Sequence, residues 1–228
     1  ITLDDQVLPD LTERVSTGVA TLDGLLGGGL FRGTATLISG APGTAKTSLA
    51  AAFLAGGAAR GERGLCVSFE EPFERIAANV ASVGIDLATP AREGLIGNLS
   101  LMPRAAQPEE LYLAVMRAVE QLRPSRVVVN PLSALVKAGE QDADAERLLE
   151  RLFRLLKSQR TTVVVTSLVD PSVPGGEQSL SGLSAIADTW IELTYHSIRG
   201  ERVRGLSIVK SRGTAHSSQV RELGSVLN

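Results

Sequence analysis

In Gly40-Ala41-Pro42-Gly43-Thr44-Ala45-Lys46-Thr47 a lysine and a hydroxyl follow a run of small residues. Such a run can bind an oxyanion: successive backbone N–H groups bend around it and a helix N-terminus points at it. Lys46 adds a cation for the outer phosphates of a nucleotide, and the Thr47 hydroxyl a hard oxygen for a divalent metal. The pattern for this chemistry is G-x-x-x-x-G-K-[ST], and alanine stands at position 45 where the pattern has glycine. Ala45 is expected in the first turn of the next helix, where a negative φ would leave alanine unstrained and only its methyl would crowd a phosphate. The loop is therefore read as altered but working. An ordinary Gly/Pro turn capped by Thr44 would leave Lys46 unexplained.

Adjacent carboxylates, Glu70 and Glu71, end the next apolar run, GLCVSF. In a phosphoryl-transfer site one carboxylate orients or deprotonates the attacking oxygen, while its neighbour bears on the metal shell. An acidic helix start would also favour glutamates. Beside a phosphate loop the catalytic reading is preferred. RVVVN (126–130) has the shape of a Walker B strand, but ends in Asn130 instead of aspartate, keeping an acceptor oxygen without the charge that binds magnesium. Thr47, Glu70 and Asn130 are thus the metal candidates. Lys210, Arg212 and His216 gather after an apolar run, either as a basic hairpin rim or as a finger reaching the γ-phosphate held by a neighbouring subunit.

The elements that must carry these groups alternate. TATLIS (34–39) reads as a buried strand, then come the loop and a helix from Lys46 to about Ala59 closed by Gly61. Strand 64–69, helix 72–83, strand 98–102, helix 108–122, strand 126–130, helix 143–159 and strand 161–167 follow. Continuous Val, Leu and Ile runs mean strands covered on both faces, hence an α/β fold with a mostly parallel sheet between helices. TWIELTYH, VRGLSIVK and QVRELGSVL read as antiparallel edge strands at the C-terminus. Upstream, Thr21 is expected to cap a short helix carrying Leu22, Leu25 and Leu26, stopped by Gly27-Gly28-Gly29. Residues 1–13 read as a linker or N-terminal arm and 14–228 as one domain; 168–182, rich in Gly, Pro and Ser, reads as a functional loop.

Composition narrows the partners. With 43% apolar residues the chain can pack a large core, and 23 Lys plus Arg against 25 Asp plus Glu make no basic field for a duplex or an acidic membrane. Neither nucleic acid nor membrane is expected as a partner. The single Cys66 cannot form an internal disulfide and suits a reducing cytoplasm. No apolar run approaches a membrane span, and ITLDDQ lacks the order of a secretory signal. The absence of an initial Met is read as a trimmed chain or an excised domain.

RVSTGVATLDGLLGGGLFRG, GAPGTAKT, SFEE followed by NVASVGIDL, VVVNPLSAL, SLSGLSAIADT and IVKSRGTAH lie in the order and spacing of the KaiC family. The chain resembles these RecA-like P-loop ATPases, whose prototype is a circadian clock protein, from about Arg14 onward. The resemblance implies a RecA-like domain, usually one of two in tandem, in a homo-oligomeric ring of six with ATP between subunits. A KaiB-like or other regulatory protein is an implied partner. Gly40, Ala41, Pro42, Gly43, Thr44, Ala45, Lys46, Thr47 and Ser48 would bind the phosphates of ATP, Thr47 would ligate Mg²⁺, and Glu70 and Glu71 would be catalytic. Arg204, a nucleotide-binding position, matches with Lys210, Arg212 and His216 residues that face the neighbour's nucleotide. AHSSQVREL is similar to the ending of the family's self-phosphorylating C-terminal domain. Its Ser-Thr phosphorylation pair falls on Ser184-Ala185, and a further hydroxyl of the cycle on Ser179. Val83 replaces an aromatic platform for adenine.

Two further readings stay open. One is a regulatory module that holds ATP structurally, with Ala45 and Asn130 slowing turnover. The other, a RecA- or RadA-like DNA recombinase, expects basic loops, whereas 168–182 holds no Lys or Arg.

Overall fold

The computed structural model describes residues 11–101, 108–132, 134, 142–169, 186–198, 200–216 and 219–224. Ser179, Ser184 and Ala185, with most of the segment 168–182, lie outside them. The elements are β1 (Arg14–Val15), α1 (Ala20–Leu25), β2 (Leu30–Phe31), β3 (Ala35–Gly40), α2 (Lys46–Ala58), β4 (Gly64–Ser68), α3 (Phe73–Ala81) and α4 (Ala88–Arg92). Then come β5 (Ile96–Ser100), α5 (Pro108–Leu122), β6 (Arg126–Asn130), α6 (Asp142–Ser158), β7 (Thr162–Leu168), β8 (Thr189–Ile198), β9 (Glu201–Ser211) and β10 (Arg221–Glu222).

Eight strands form one sheet in the order β10-β9-β8-β3-β7-β6-β4-β5. Every pair from β8 across to β5 is parallel; β9 and β10 close the other edge antiparallel. The expected alternation of strands and helices is therefore what the chain folds into. TWIELTYH departs from expectation: as β8 it pairs parallel with β3, and only its partner β9 turns back. About twenty residues separate β7 from β8, long enough for the crossover that a parallel pair requires.

Strand side chains alternate between two apolar layers. Leu37, Leu65, Val67, Val127, Val129, Val163 and Val165 face α5 and α6, while Ile38, Cys66, Val128 and Val164 face α2 and α3. Burial on both faces explains why these strands read as continuous apolar runs. Helix α2 is buried on most sides, with Leu49, Ala50, Ala51, Phe53 and Leu54 all in the core. Its small residues let it lie close to the sheet and aim its N-terminus at the sheet's carboxyl edge.

The entry to α1 is fastened differently from the expected Thr21 cap. Val19 is the N-cap residue and makes no side-chain cap hydrogen bond. Asp23 instead reaches back, accepting from the Thr17 backbone N–H and hydroxyl, each at 2.6 Å, and from the Ser16 hydroxyl at 2.5 Å. A carboxylate accepts three bonds where a threonine hydroxyl accepts one or two, so the turn forms around residue 23. Helix α4, which the apolar pattern did not signal, is opened by Asp86 accepting from the Thr89 N–H at 3.0 Å.

Candidate functional site

β3, β7, β6 and β4 end side by side at one edge of the sheet, and each delivers a candidate group there. β3 runs into the loop at Gly40, β7 brings Thr166, β6 brings Asn130, and β4 runs on to Glu70 and Glu71. Apart from Thr166, which is buried behind Asn130, these groups border a cleft of about 480 Å³ with Pro42, Gly43, Ala45, Lys46, Thr47 and Ser48 on one wall. Glu70, Glu71, Asn130, Pro131 and Leu168 form another, and Asn79, Val80 and Val83 on and just after α3 a third. Arg204 closes the side nearest β9.

The backbone of the loop corrects one expectation. Ala45 has φ 78° and ψ 24°, the left-handed conformation, and is the N-cap of α2 rather than a residue in its first turn. The pattern's glycine thus stands where the chain needs a positive φ, and the methyl there does cost strain. Gly43 has φ 78° too, and a Cβ on it would stand 2.8 Å from the Tyr195 hydroxyl. That hydroxyl donates to the Pro42 carbonyl at 3.4 Å, so β8 braces the loop from outside. Thr44 is buried and donates to the Ala41 carbonyl at 2.8 Å, closing the loop from within.

Lys46 is 7% exposed and its ammonium donates to the carbonyls of Gly40 and Ala41, both at 2.8 Å. Burial pulls its pKa down to about 8, and the charge of Glu70 opposes that shift. A lysine held this way is a cation with little hydration, poised for an anion that enters the loop.

Asn130 is 9% exposed, and its Oδ1 accepts from the Thr166 hydroxyl at 2.6 Å and from the Thr47 hydroxyl at 3.3 Å. The two metal-ligand candidates on different elements are thus in contact. Glu71 is fixed by its backbone: the Ser68 hydroxyl donates to its carbonyl at 2.6 Å and accepts from its N–H at 3.3 Å. Its carboxylate meets the Asn79 amide at 3.5 Å. Among the described residues no three His, Cys, Asp or Glu cluster to hold a metal. Thr47, Asn130 and Glu70 suit a magnesium ion that keeps several waters and takes its remaining ligands from phosphate oxygens.

The structure divides the C-terminal cations into two places. Arg204 pairs with Tyr195 beside this chain's own cleft. Lys210, opposite Trp190, and Arg212 lie at the other end of the sheet, where Thr189 is level with Thr36 near the start of β3. About 17 Å of β3 separates that end, where Arg212 lies, from the loop, and Lys210, level with Leu37 through Trp190, is about 10 Å along the strand from Gly40. Exposed His216 follows, its Nδ1 3.3 Å from the Thr214 carbonyl. Tyr195 and Thr166 were not found by reading the sequence. Thr166, two residues before the end of β7 in VVVTS, could have been found from the rule that ligands meet strand carboxyl ends; Tyr195 carries no local signal.

Comparison with known proteins accords with this cleft. The family model described as ATPase: KaiC matches residues 15–223. The circadian clock protein KaiC2 of Synechocystis sp. is 41% identical over 212 residues, covering 92% of this chain and 37% of that protein. The circadian clock oscillator protein KaiC of Picosynechococcus sp. is 34% identical over 209 residues, 92% of this chain and 40% of its own length. That of Parathermosynechococcus lividus is 35% identical over 209 residues, 92% and 38% respectively. The chain spans well under half the length of these relatives. With the fold, the phosphate loop and the match all in agreement, the chain belongs to the KaiC family as one of its RecA-like ATPase domains.

Proposed function

We propose that this domain binds Mg²⁺-ATP in the cleft and hydrolyses it where two subunits of a homo-oligomeric ring, a hexamer by family resemblance, meet. The observation that carries the reading is the convergence of the loop, Thr47, Asn130 and the Glu70-Glu71 pair from three strand ends on one cleft. The loop N–H groups and Lys46 bind the phosphates. Thr47 and Asn130, with Glu70, hold the metal, which supplies charge neutralisation when bound. One carboxylate of the pair accepts the proton of a water as its oxygen bonds to the γ-phosphorus and the bond to ADP breaks; the other orients it. The aliphatic surface of Val80 and Val83 receives the base. Lys210 and Arg212, set back from their own loop toward the start of β3, and His216 serve the neighbour's nucleotide.

Lys46→Ala is expected to abolish ATP binding by calorimetry, and Glu70→Gln and Glu71→Gln to retain binding and lose turnover. If Lys46→Ala binds ATP as the parent does, the site is elsewhere. By its resemblance to the self-phosphorylating domain, the protein also transfers phosphate to Ser184, with Ser179 as a secondary acceptor, in a timing-related signalling role. Phosphopeptide mapping after incubation with Mg²⁺-ATP tests this, and no phosphate on either serine reduces the activity to hydrolysis.

A second reading, ATP held as a structural ligand, is favoured by one feature: the Asn130 oxygen is neutral and already accepts two hydroxyl bonds, which weakens its hold on a metal. Long retention of unhydrolysed ATP in the assembled protein would decide for it.

A further inference from the structure

The cations at the far end of the sheet converge on one buried carboxylate. Asp188, 6% exposed, accepts from the backbone N–H of Ala35 at 2.9 Å and from Lys157 Nζ at 2.7 Å, both through Oδ2. Its Oδ1 faces Arg212, whose guanidinium is 3.6 Å away. Its main-chain carbonyl accepts from the Arg212 N–H at 2.9 Å. Arg212 is therefore tied to residue 188 through both main chain and side chain, and residue 188 to the first residue of β3. That same strand ends in Gly40 and the phosphate loop.

Lys210 belongs to the same corner. Burial lowers its pKa, Arg212 and Lys157 lower it further, and Asp188 opposes them. Lys157, Lys210, Arg212 and Asp188 thus form a quartet at this corner, three cations around one carboxylate. The only acid in the quartet is buried and doubly anchored, which makes it a fixed point on which a long, flexible guanidinium can be oriented.

We propose that Asp188 is a positioning residue of the shared ATP site: it fastens the Lys210–Arg212 segment to the foot of β3, keeping the cations a subunit offers its neighbour in register with its own phosphate loop. This rests on the reading that Lys210 and Arg212 serve the neighbouring nucleotide. Asp188 touches no substrate and acts through Arg212.

The test is a double-mutant cycle of ATP turnover and ATP affinity in the full chain, with Asp188→Asn, Arg212→Ala and both together. Asparagine keeps an oxygen for the Ala35 N–H and loses the charge that faces Arg212. Asp188→Asn is expected to lower turnover roughly tenfold while ATP affinity stays within about twofold, the signature of an interaction used in the reaction and not in ground-state binding. Arg212→Ala is expected to lose at least as much, and the double variant no more than Arg212→Ala alone, because the carboxylate has nothing left to orient. Unchanged turnover in Asp188→Asn, or losses that multiply in the double variant, would overturn the positioning role while leaving the shared site standing. Full turnover in Arg212→Ala would instead remove the shared-site reading, and the proposal with it. Should Asp188→Asn fail to fold, Asp188→Glu goes through the same cycle: its carboxylate, one methylene further out, cannot serve Ala35 and Arg212 in the same places, and the same non-additivity is expected.

Discussion

At residue 45 the backbone is left-handed and the side chain is a methyl. Ala45→Gly is expected to raise stability by about 1 kcal/mol in denaturant titration, since only glycine adopts this conformation without steric cost; an equal or lower stability would mean that the loop relaxes around alanine. The sequence displays the missing glycine but not its φ, because residue 45 is bent by the turn that Gly43 and Thr44 impose, not by its own preference. Lys46 is different: its place in the loop was legible from spacing alone, and the structure adds its electrostatics. With a pKa near 8 in the free protein, Lys46 is charged below that pH and loses its proton above it. A bound triphosphate favours the charged form and raises the pKa, so ATP binding is expected to take up a proton above about pH 8 and to weaken as pH rises further. Calorimetry in buffers of different ionisation enthalpy reads the uptake directly, and none at pH 9 would contradict it. At Asn130 a carboxylate would accept the Thr47 and Thr166 hydroxyls equally well and add charge. Asn130→Asp is therefore expected to lower the Mg²⁺ concentration that half-saturates turnover by roughly tenfold.

Among the elements, α2 decides how closely the loop can approach the sheet. Gly57 in this helix leaves room for the buried guanidinium of Arg126: a Cβ there would stand 2.4 Å from both Cδ and Nε of that side chain. Arg126 donates to the carbonyls of Ser16 and Phe53, both at 2.8 Å, and pairs with Glu62, so it cannot withdraw without orphaning them. Helix propensity alone would make Gly57→Ala favourable by nearly 1 kcal/mol. The contact reverses the sign, and a loss of about 1–3 kcal/mol is expected in thermal or chemical unfolding. Which strands are buried on both faces was legible in their Val-rich runs, and this gave the layers of the fold. Strand order was not, because β3 lies between β7 and β8, both distant in sequence, and no local pattern encodes that choice. The same holds for Tyr195: its contact with Pro42 is made by strand register across β3 and β8, which periodicity does not reveal.

On the scale of the whole molecule, one end of the sheet carries the phosphate loop, while Arg212 lies toward the other, about 17 Å away along β3, with Lys210 between them about 10 Å from the loop. Under the proposed shared site, copies would meet head to tail, and a closed ring is the arrangement that would satisfy every copy. Lys46→Ala removes the loop's cation and Arg212→Ala the finger, so each variant alone is expected to be nearly inactive. Co-assembled, they bring some intact loops against intact fingers. The most direct measurement is ATP turnover of such mixed assemblies, with mixing verified by mass. A shared site predicts turnover well above both parents, rising and falling with the mixing ratio; mixed assemblies no more active than the parents would contradict it.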